Sequence, residues 1–347
     1  MPAVITNKLN LPETIYKACL HDSHRVAGDI SVSQLIDSPR IRILKKKHKY
    51  EEDVSDRLYM LLGTALHHIL ERANIDDVRK RAFILTADTL IAKAQEYQNA
   101  NEEARANQLR ACAKYLQDLI PVFFPEIGNR YIFEVTLRRE INGIVLYGTF
   151  DLFDTLTNTL YDYKFCSVYS YMYPESKDSW AYQTNIYAWL LKMEGYTVNK
   201  IVVVAFFRDW QESGIMRHKD YPDKQIKEIV IPIGETPKVG SWIGELLTFH
   251  KETEDTGILP LCTGQQRWAK ADQWAVKTPN AKKALRVADT EGQVDSFILE
   301  NKHKHPKMYK EYRPGESVKC ASFCPVAEFC DQRKEELRLR KEITDKE

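Results

Sequence analysis

Asp151, Asp162, Lys164 and, further upstream, Glu134 are the side chains in this sequence whose types and spacing best suit a bound ion. They lie on three β-prone runs. Tyr131 to Ile141 and Ile144 to Thr155 flank Asn142-Gly143, a dipeptide that accepts the positive φ angles of a two-residue hairpin. That turn sets Glu134 opposite Asp151, where it adds a carboxylate, orients a ligand, or stays a plain surface glutamate. A third run, Thr159 to Phe165, follows Leu156-Thr157-Asn158 and predicts a second hairpin. Side chains alternate along a strand, so Asp162 and Lys164 share one side and Tyr163 takes the other. A turn centred between 156 and 157 sets Asp151 opposite Asp162, and one centred between 157 and 158 sets it opposite Lys164. Either register keeps the two acids and the lysine on one face, within roughly 4.5–8 Å of one another.

Carboxylates converging with a lysine suit a divalent metal held by oxygens, with an ammonium beside it to position or deprotonate water. A phosphodiester is the natural target of such a centre, because the metal polarises a phosphoryl oxygen and offsets the charge that builds on it. Asp162-Tyr163-Lys164 alone equally describes a solvated hairpin whose acids pair with a lysine. Its surroundings must decide.

Several elements would position these groups. Asp53 or Ser55 can cap a helix running to about Ala73, with Leu62, Leu66, Ile69 and Ala73 as its apolar stripe. His67 falls on a different face, between Gly63 and Glu71, and the glycine would let the helix approach another backbone closely; His68 is the competing histidine. Pro174 to Glu194 reads as a helix ended by Gly195, with Gln183 and Tyr187 on one face at i and i+4 and Trp180 on the same side. Lys200 to Phe207 is a buried strand. A strand near Glu228 to Ile233 and a helix over Val239 to Lys251 follow. Asp76 to Leu119 predicts two helices with a break near Asn99-Ala100-Asn101, and Cys112 within them reads as a buried thiol. Residues 1–30 show little periodicity and read as an arm, with Cys19 a lone thiol.

The last third carries Cys320, Cys324 and Cys330, with Cys262 upstream. Three close cysteines and a distant fourth can surround a tetrahedral metal or an iron-sulfur cluster. Cys166 is more simply a buried thiol. No apolar run is long enough to span a membrane and no signal-peptide pattern is present, so a cytoplasmic protein with free or metal-bound cysteines is expected. Lys plus Arg (50) nearly balances Asp plus Glu (49), so contact with a polyanion must come from local clusters. Arg42 to Lys49 and Lys302 to Lys307 are such clusters, each equally readable as solvated surface.

Gly63-Thr-Ala-Leu-His67, Gly148-Thr149-Phe150-Asp151, Asp162-Tyr163-Lys164 and Gln183-Thr-Asn-Ile-Tyr187, in that order, resemble the RecB-like branch of the PD-(D/E)XK nuclease superfamily over about residues 31–207. The resemblance implies an α/β, restriction-endonuclease-like core (a mixed sheet flanked by helices), with a helical insertion and a cysteine-clamped C-terminal region. The expected segments are an arm at 1–30, a nuclease core at 31–255 with its insertion at 76–120, and a cysteine region with a tail helix at 256–347. It implies Mg²⁺ or Mn²⁺ held by His67, Asp151, Asp162 and the Tyr163 carbonyl, a catalytic Lys164, and Gln183 and Tyr187 beside the substrate. Some members also close their fold with a 4Fe-4S cluster, for which Cys262, Cys320, Cys324 and Cys330 are the candidates here; structural zinc and free thiols are the alternatives. Two features depart from that pattern. Ser38 stands before Pro39-Arg40 where many members carry a cysteine ligand, so Cys262 would be the fourth, and the gap from Cys320 to Cys324 is three residues. Pro260-Leu261-Cys262-Thr263 with Arg267-Trp268 is similar to phage-borne members. The implied activity is exonucleolytic hydrolysis of DNA in recombination, repair or phage DNA processing, with DNA and a recombination or helicase protein as partners. A catalytically silent DNA-binding or scaffold protein of the same fold is the alternative, and hydrolysis of RNA is a third reading.

Overall fold

A computed structural model describes residues 3–20, 26–73, 75–123, 130–172, 174–279 and 281–344. Two hairpins generate its central sheet. Asn142 and Gly143 both take positive φ (53° and 76°), as a type I′ turn requires. The strands Tyr131–Ile141 and Ile144–Asp154 leave that turn in antiparallel register, Ile141 facing Ile144 and Phe133 facing Leu152. The second turn is centred between 156 and 157, since Asp154 faces Thr159 and Leu152 faces Tyr161 on the strand Thr159–Cys166. Extending that register by one pair opposes Asp151 to Asp162 and excludes the register that opposes it to Lys164. Asp154 fixes the turn by accepting from the Leu156 N–H (3.0 Å) and from the Arg130 guanidinium (3.1 and 2.9 Å).

Beyond Tyr161 the lysine-bearing strand leaves this neighbour, while its other edge runs parallel to Lys200–Phe207 along its whole length, and that strand pairs in turn with Ile226–Ile231. Ile30–Ser31 joins in parallel at Leu146 and Tyr147. One edge of Ile144–Asp154 is paired with Tyr131–Ile141 at every position except Asp151. Its other edge therefore meets one partner at 146–147 and another at 152–154, with a gap at Gly148–Asp151. The helix Pro174–Met193 covers this part of the sheet, burying Ile186, Leu190 and Leu191 against Leu146, Phe150 and Ile201. Gly148 is required for that packing, because a Cβ there would lie 2.6 Å from both the Tyr187 ring and the Val32 side chain.

The insertion consists of the helices Ile75–Asn99 and Glu103–Phe123, with Asn101 in the left-handed region at the break (φ 60°). Ala87 and Ala94 on the first helix, and Ala106 and Ala113 on the second, are buried seven residues apart within each helix, a small-residue seam that lets two helices lie close together. Cys112, one position off that seam, is exposed rather than buried.

The helix Leu58–Arg72 departs from expectation in three ways. A 3-10 turn, Val54–Arg57, precedes it and Arg57 occupies the N-cap without a side-chain cap, so neither Asp53 nor Ser55 caps it. Leu62 and Ile69 of the expected apolar stripe are exposed, and no residue of the helix is buried. A Cβ at Gly63 would meet nothing within 4 Å, so this glycine does not mediate a close backbone approach. Helical spacing of apolar residues shows that a stripe exists without providing a surface to cover it.

The chain divides into two compact units, one made of 9–36 and 54–248, which holds the sheet above, and the other of 1–8, 37–53 and 249–347. The second unit thus draws on both ends of the sequence and on 37–53. The expected arm at 1–30 is structured in part: Val4–Thr6 pairs in parallel with Glu51–Asp53, and Glu13–Leu20 is a helix. Pairing across more than forty residues leaves no local periodicity to read. The second unit also contains the helix Pro39–Lys47, a three-stranded antiparallel sheet backed by the helix Glu291–Asn301, and the tail helix Asp331–Thr344. In that sheet Gln273–Lys277 lies between Arg286–Ala288 and Tyr309–Arg313, around Val276, Ala288 and Val294.

Candidate metal centre

At the gap in the sheet ladder, His67, Glu134 and Asp151 offer ligand atoms that all lie within 4.8 Å of one another. His67 Nδ1 is 3.3 Å from Glu134 Oε1 and 3.4 Å from Asp151 Oδ1. Glu134 arrives by the register of the first hairpin, but its backbone turns out of the ladder at φ 47°, while Phe133 and Val135 keep their partners. A left-handed non-glycine residue costs about 1–2 kcal/mol, and the paired strand on both sides holds it there. Asp151 uses its second oxygen, Oδ2, to accept the Tyr163 N–H at 2.6 Å. A side chain thus replaces the missing backbone partner where the strands part.

Asp162 and Lys164 occupy the diverging strand. Lys164 Nζ lies 2.8 Å from Asp162 Oδ2, although that buried oxygen meets no hydrogen-bond geometry with any partner. Lys164 donates to Gln183 Oε1 at 2.8 Å, and Gln183 Nε2 donates to the Tyr187 hydroxyl at 2.9 Å. Both ends of the amide are committed, so Gln183 fixes the lysine through a helix that is itself seated on Gly148. Asp162 stands outside the tight group of three. The Tyr163 ring stands edge-on to His67, centroids 6.1 Å apart. His68, the competing histidine, pairs with Glu71 at 3.5 Å and does not join.

Burial would push the His67 imidazolium to lose its proton. Hydrogen bonds to Asp151 and Glu134, with their charges, outweigh this and raise its pKa to about 10. Burial raises the Asp162 pKa, the Lys164 charge works against that, and the Asp151 charge adds to it. For Lys164 burial opposes the charged form, and the two aspartates prevail, raising its pKa. Three carboxylates therefore meet one ammonium and one proton. An imidazole nitrogen and clustered carboxylate oxygens, with the buried Asp162 carboxylate beside them, form a donor set that fits a divalent cation such as Mg²⁺ or Mn²⁺.

A second cluster lies in the other unit, where Cys262, Cys320, Cys324 and Cys330 line one cavity. Cys262 Sγ donates to Ser38 Oγ at 3.3 Å. Arg40, buried, donates to the carbonyls of Pro260 (2.8 Å) and Leu259 (2.7 Å) and approaches Cys330 Sγ at 3.6 Å. The position that departs from the family pattern, Ser38, is thus beside the proposed substitute ligand. Burial raises the thiol pKa values of Cys262, Cys324 and Cys320, the last to about 11, and neighbouring thiols add to each. Among the described residues no three of these sulfurs come within 4.8 Å of one another. Arg40 was not singled out from the sequence, although its place directly after Pro39 at a helix start was visible. Cys166 is half-buried, and burial raises its pKa to about 11.

The gap in the sheet, the acids around it and the lysine on the diverging strand define an α/β fold with an acidic centre whose donors can hold a metal ion. The family model of the PD-(D/E)XK nuclease superfamily matches residues 32–331, and the chain belongs to that superfamily. No curated protein matches. Among solved structures, SSO0001 is similar at 18% identity and a TM-score of 0.38, over 69% of this chain and 84% of that one. A phage-related exonuclease from Haemophilus somnus 129PT is similar at 15% identity and a TM-score of 0.26, over 40% of this chain and 65% of that one. No described helix is long and apolar enough to cross a membrane.

Proposed function

We propose that this protein is a metal-dependent deoxyribonuclease, working as an exonuclease in recombination, repair or phage and mobile-element DNA processing. The observation that carries this reading is the convergence of His67, Glu134 and Asp151 with the Asp162–Lys164 pair on the neighbouring strand Thr159–Cys166. His67, Asp151, Asp162 and the Tyr163 carbonyl hold Mg²⁺ or Mn²⁺, with Glu134 as a further carboxylate or as the group that orients His67. When bound, the ion polarises a phosphoryl oxygen and acidifies water. Lys164 aligns or activates the attacking water, and Asp162 and Gln183 hold its ammonium in place. Tyr187 and Gln183 form the wall beside the substrate.

Cys262, Cys320, Cys324 and Cys330 bind a 4Fe-4S cluster that fastens the tail helix and takes no part in hydrolysis. A structural zinc held by the same thiols is the alternative. The protein acts in the cytoplasm, with a recombination or helicase protein as partner.

The test is digestion of linear DNA, with an RNA control, in Mg²⁺ or Mn²⁺. Digestion of DNA that is abolished in Asp162→Ala and Lys164→Ala is the expected result. DNA binding without digestion in any metal would favour a silent scaffold, and digestion of RNA alone would move the substrate class.

A further inference from the structure

Of the two basic clusters in the sequence, the first is largely used internally. Arg42 is buried and pairs with Glu254 at 2.8 Å, Lys46 pairs with the same carboxylate at 2.7 Å, and Lys45 lies over the Tyr50 ring. The second is arranged differently. Gln273–Lys277 ends where Arg286–Ala288 begins, Val276 facing Arg286, and where Tyr309–Arg313 begins, Lys277 facing Tyr309. The connections 278–285 and 302–308 therefore meet this three-stranded sheet at the same end, the first leaving Lys277 and entering Arg286, the second entering Tyr309. Neighbouring strands are about 4.8 Å apart, so the two connections join the sheet within roughly 10 Å of each other.

Together they carry Lys282, Lys283 and Arg286 from one side and Lys302, Lys304 and Lys307 from the other. Neither 278–286 nor 302–308 contains an acid. All six cations are exposed, and among the described residues none makes an ion pair. The contrast with the rest of the sheet is sharp. Lys277 pairs with Glu311 at 2.7 Å, and Lys310 pairs with Glu291 and Asp295. Lys302 is the C-cap of the Glu291–Asn301 helix, where the helix dipole favours a cation; this accounts for one of the six. Since the whole chain carries a net charge of only +1, the patch is a local concentration of charge.

We infer that this loop-bearing end of the small sheet is a second DNA contact, separate from the acidic centre, which grips the phosphate backbone without reading bases. Five of the six cations are lysines, point charges suited to phosphates rather than the planar forks that read guanine. The choice of DNA over another polyanion rests on the deoxyribonuclease reading above.

The test is fluorescence anisotropy of the full-length protein on a labelled duplex in EDTA, across a salt titration. The proteins compared are the wild type, a variant with all six cations changed to alanine, and Lys17→Ala/Lys219→Ala/Lys238→Ala as a surface control. Each phosphate contact contributes about 0.9 to the slope of log affinity against log salt. The sixfold variant should bind at least tenfold more weakly with a slope shallower by about 3–5, while the control behaves as wild type. Should the sixfold variant fail to fold, as judged by circular dichroism, Lys302→Ala/Lys304→Ala/Lys307→Ala should lower the slope by about 2–3, and the corresponding arginine variant should restore it. Unchanged affinity and slope in the folded alanine variants would overturn the inference. If the wild type cleaves DNA while these variants bind it normally, only this inference falls; if the patch binds duplex but no metal supports cleavage, only the deoxyribonuclease reading falls.

Discussion

The acidic centre and the cysteine cluster both gather side chains of types that can ligate a metal, and they are built in opposite ways. In the acidic centre, the acids and the lysine lie on two successive hairpins whose registers follow from their turns, and Asp151 is anchored by the Tyr163 N–H. Its core extends through the sheet and the Pro174–Met193 helix. The cysteines come from 262 and 320–330 and meet residues 38–40, around a small core of Leu44, Tyr50, Val326 and Cys330. The comparison teaches that the first site rests on an extensive core, whereas the second lies where segments distant in sequence meet around a small one.

The largest effect that separates them is catalytic. Lys164→Ala or Asp162→Ala should lower initial cleavage rates by about a thousandfold and shift the melting temperature by only a few degrees, as rates and melts measured on the same preparations will show. A collapse of the fold would erase the distinction.

Cys330→Ser or Cys324→Ser should do the reverse. We expect loss of bound iron and of visible absorbance, faster proteolysis of the tail helix, and a stability loss of about 3 kcal/mol or more in that unit. Mn²⁺ binding at the acidic centre should persist. Iron and zinc analysis with anaerobic absorption spectroscopy reads the first outcome, and a stoichiometric zinc content would replace the iron-sulfur assignment.

Gly148→Ala tests how tightly fold and site are coupled within the first unit. Displacing the Tyr187 ring and Val32 should cost about 1–3 kcal/mol and slow cleavage, because Tyr187 supports Gln183 and Gln183 supports Lys164. A stability loss with no change in rate would show that the helix adjusts independently of the lysine.

The smallest effect is a pH dependence. The Arg130 guanidinium, with the Leu156 and Thr157 groups, holds the Asp154 pKa down to about 2. Since the folded value lies below the unfolded one, this stabilisation is complete above about pH 4 and is lost as pH falls towards 2. Solvent screens the exposed Arg130, so the contribution is small. Asp154→Asn should slightly flatten the acid limb of a stability-versus-pH curve.

What could be read from the sequence was local. Asn142-Gly143 specified the first hairpin and with it the opposition of Glu134 and Asp151; the second loop left two registers, and the structure selects the one centred between 156 and 157. The break near Asn101 and the helix stop at Gly195 followed from residues that accept positive φ. The left-handed backbone at Glu134 had no such signal, because a glutamate does not announce that conformation. The pairing of Val4–Thr6 with Glu51–Asp53, and the small sheet at 273–313, were missed because their strands are short and partly exposed and their partners are distant in sequence. The placement of Ser38 beside Cys262 joins residues 224 positions apart, which no periodicity encodes.

Anomalous diffraction from crystals soaked in Mn²⁺ tests the centre directly. We predict a manganese peak within about 2.0–2.6 Å of His67 and Asp151, with Asp162 or Glu134 completing the contacts, and loss of that peak in Asp151→Ala. A protein that takes up no manganese there, or binds it only elsewhere, would contradict the assignment of these residues to a metal centre.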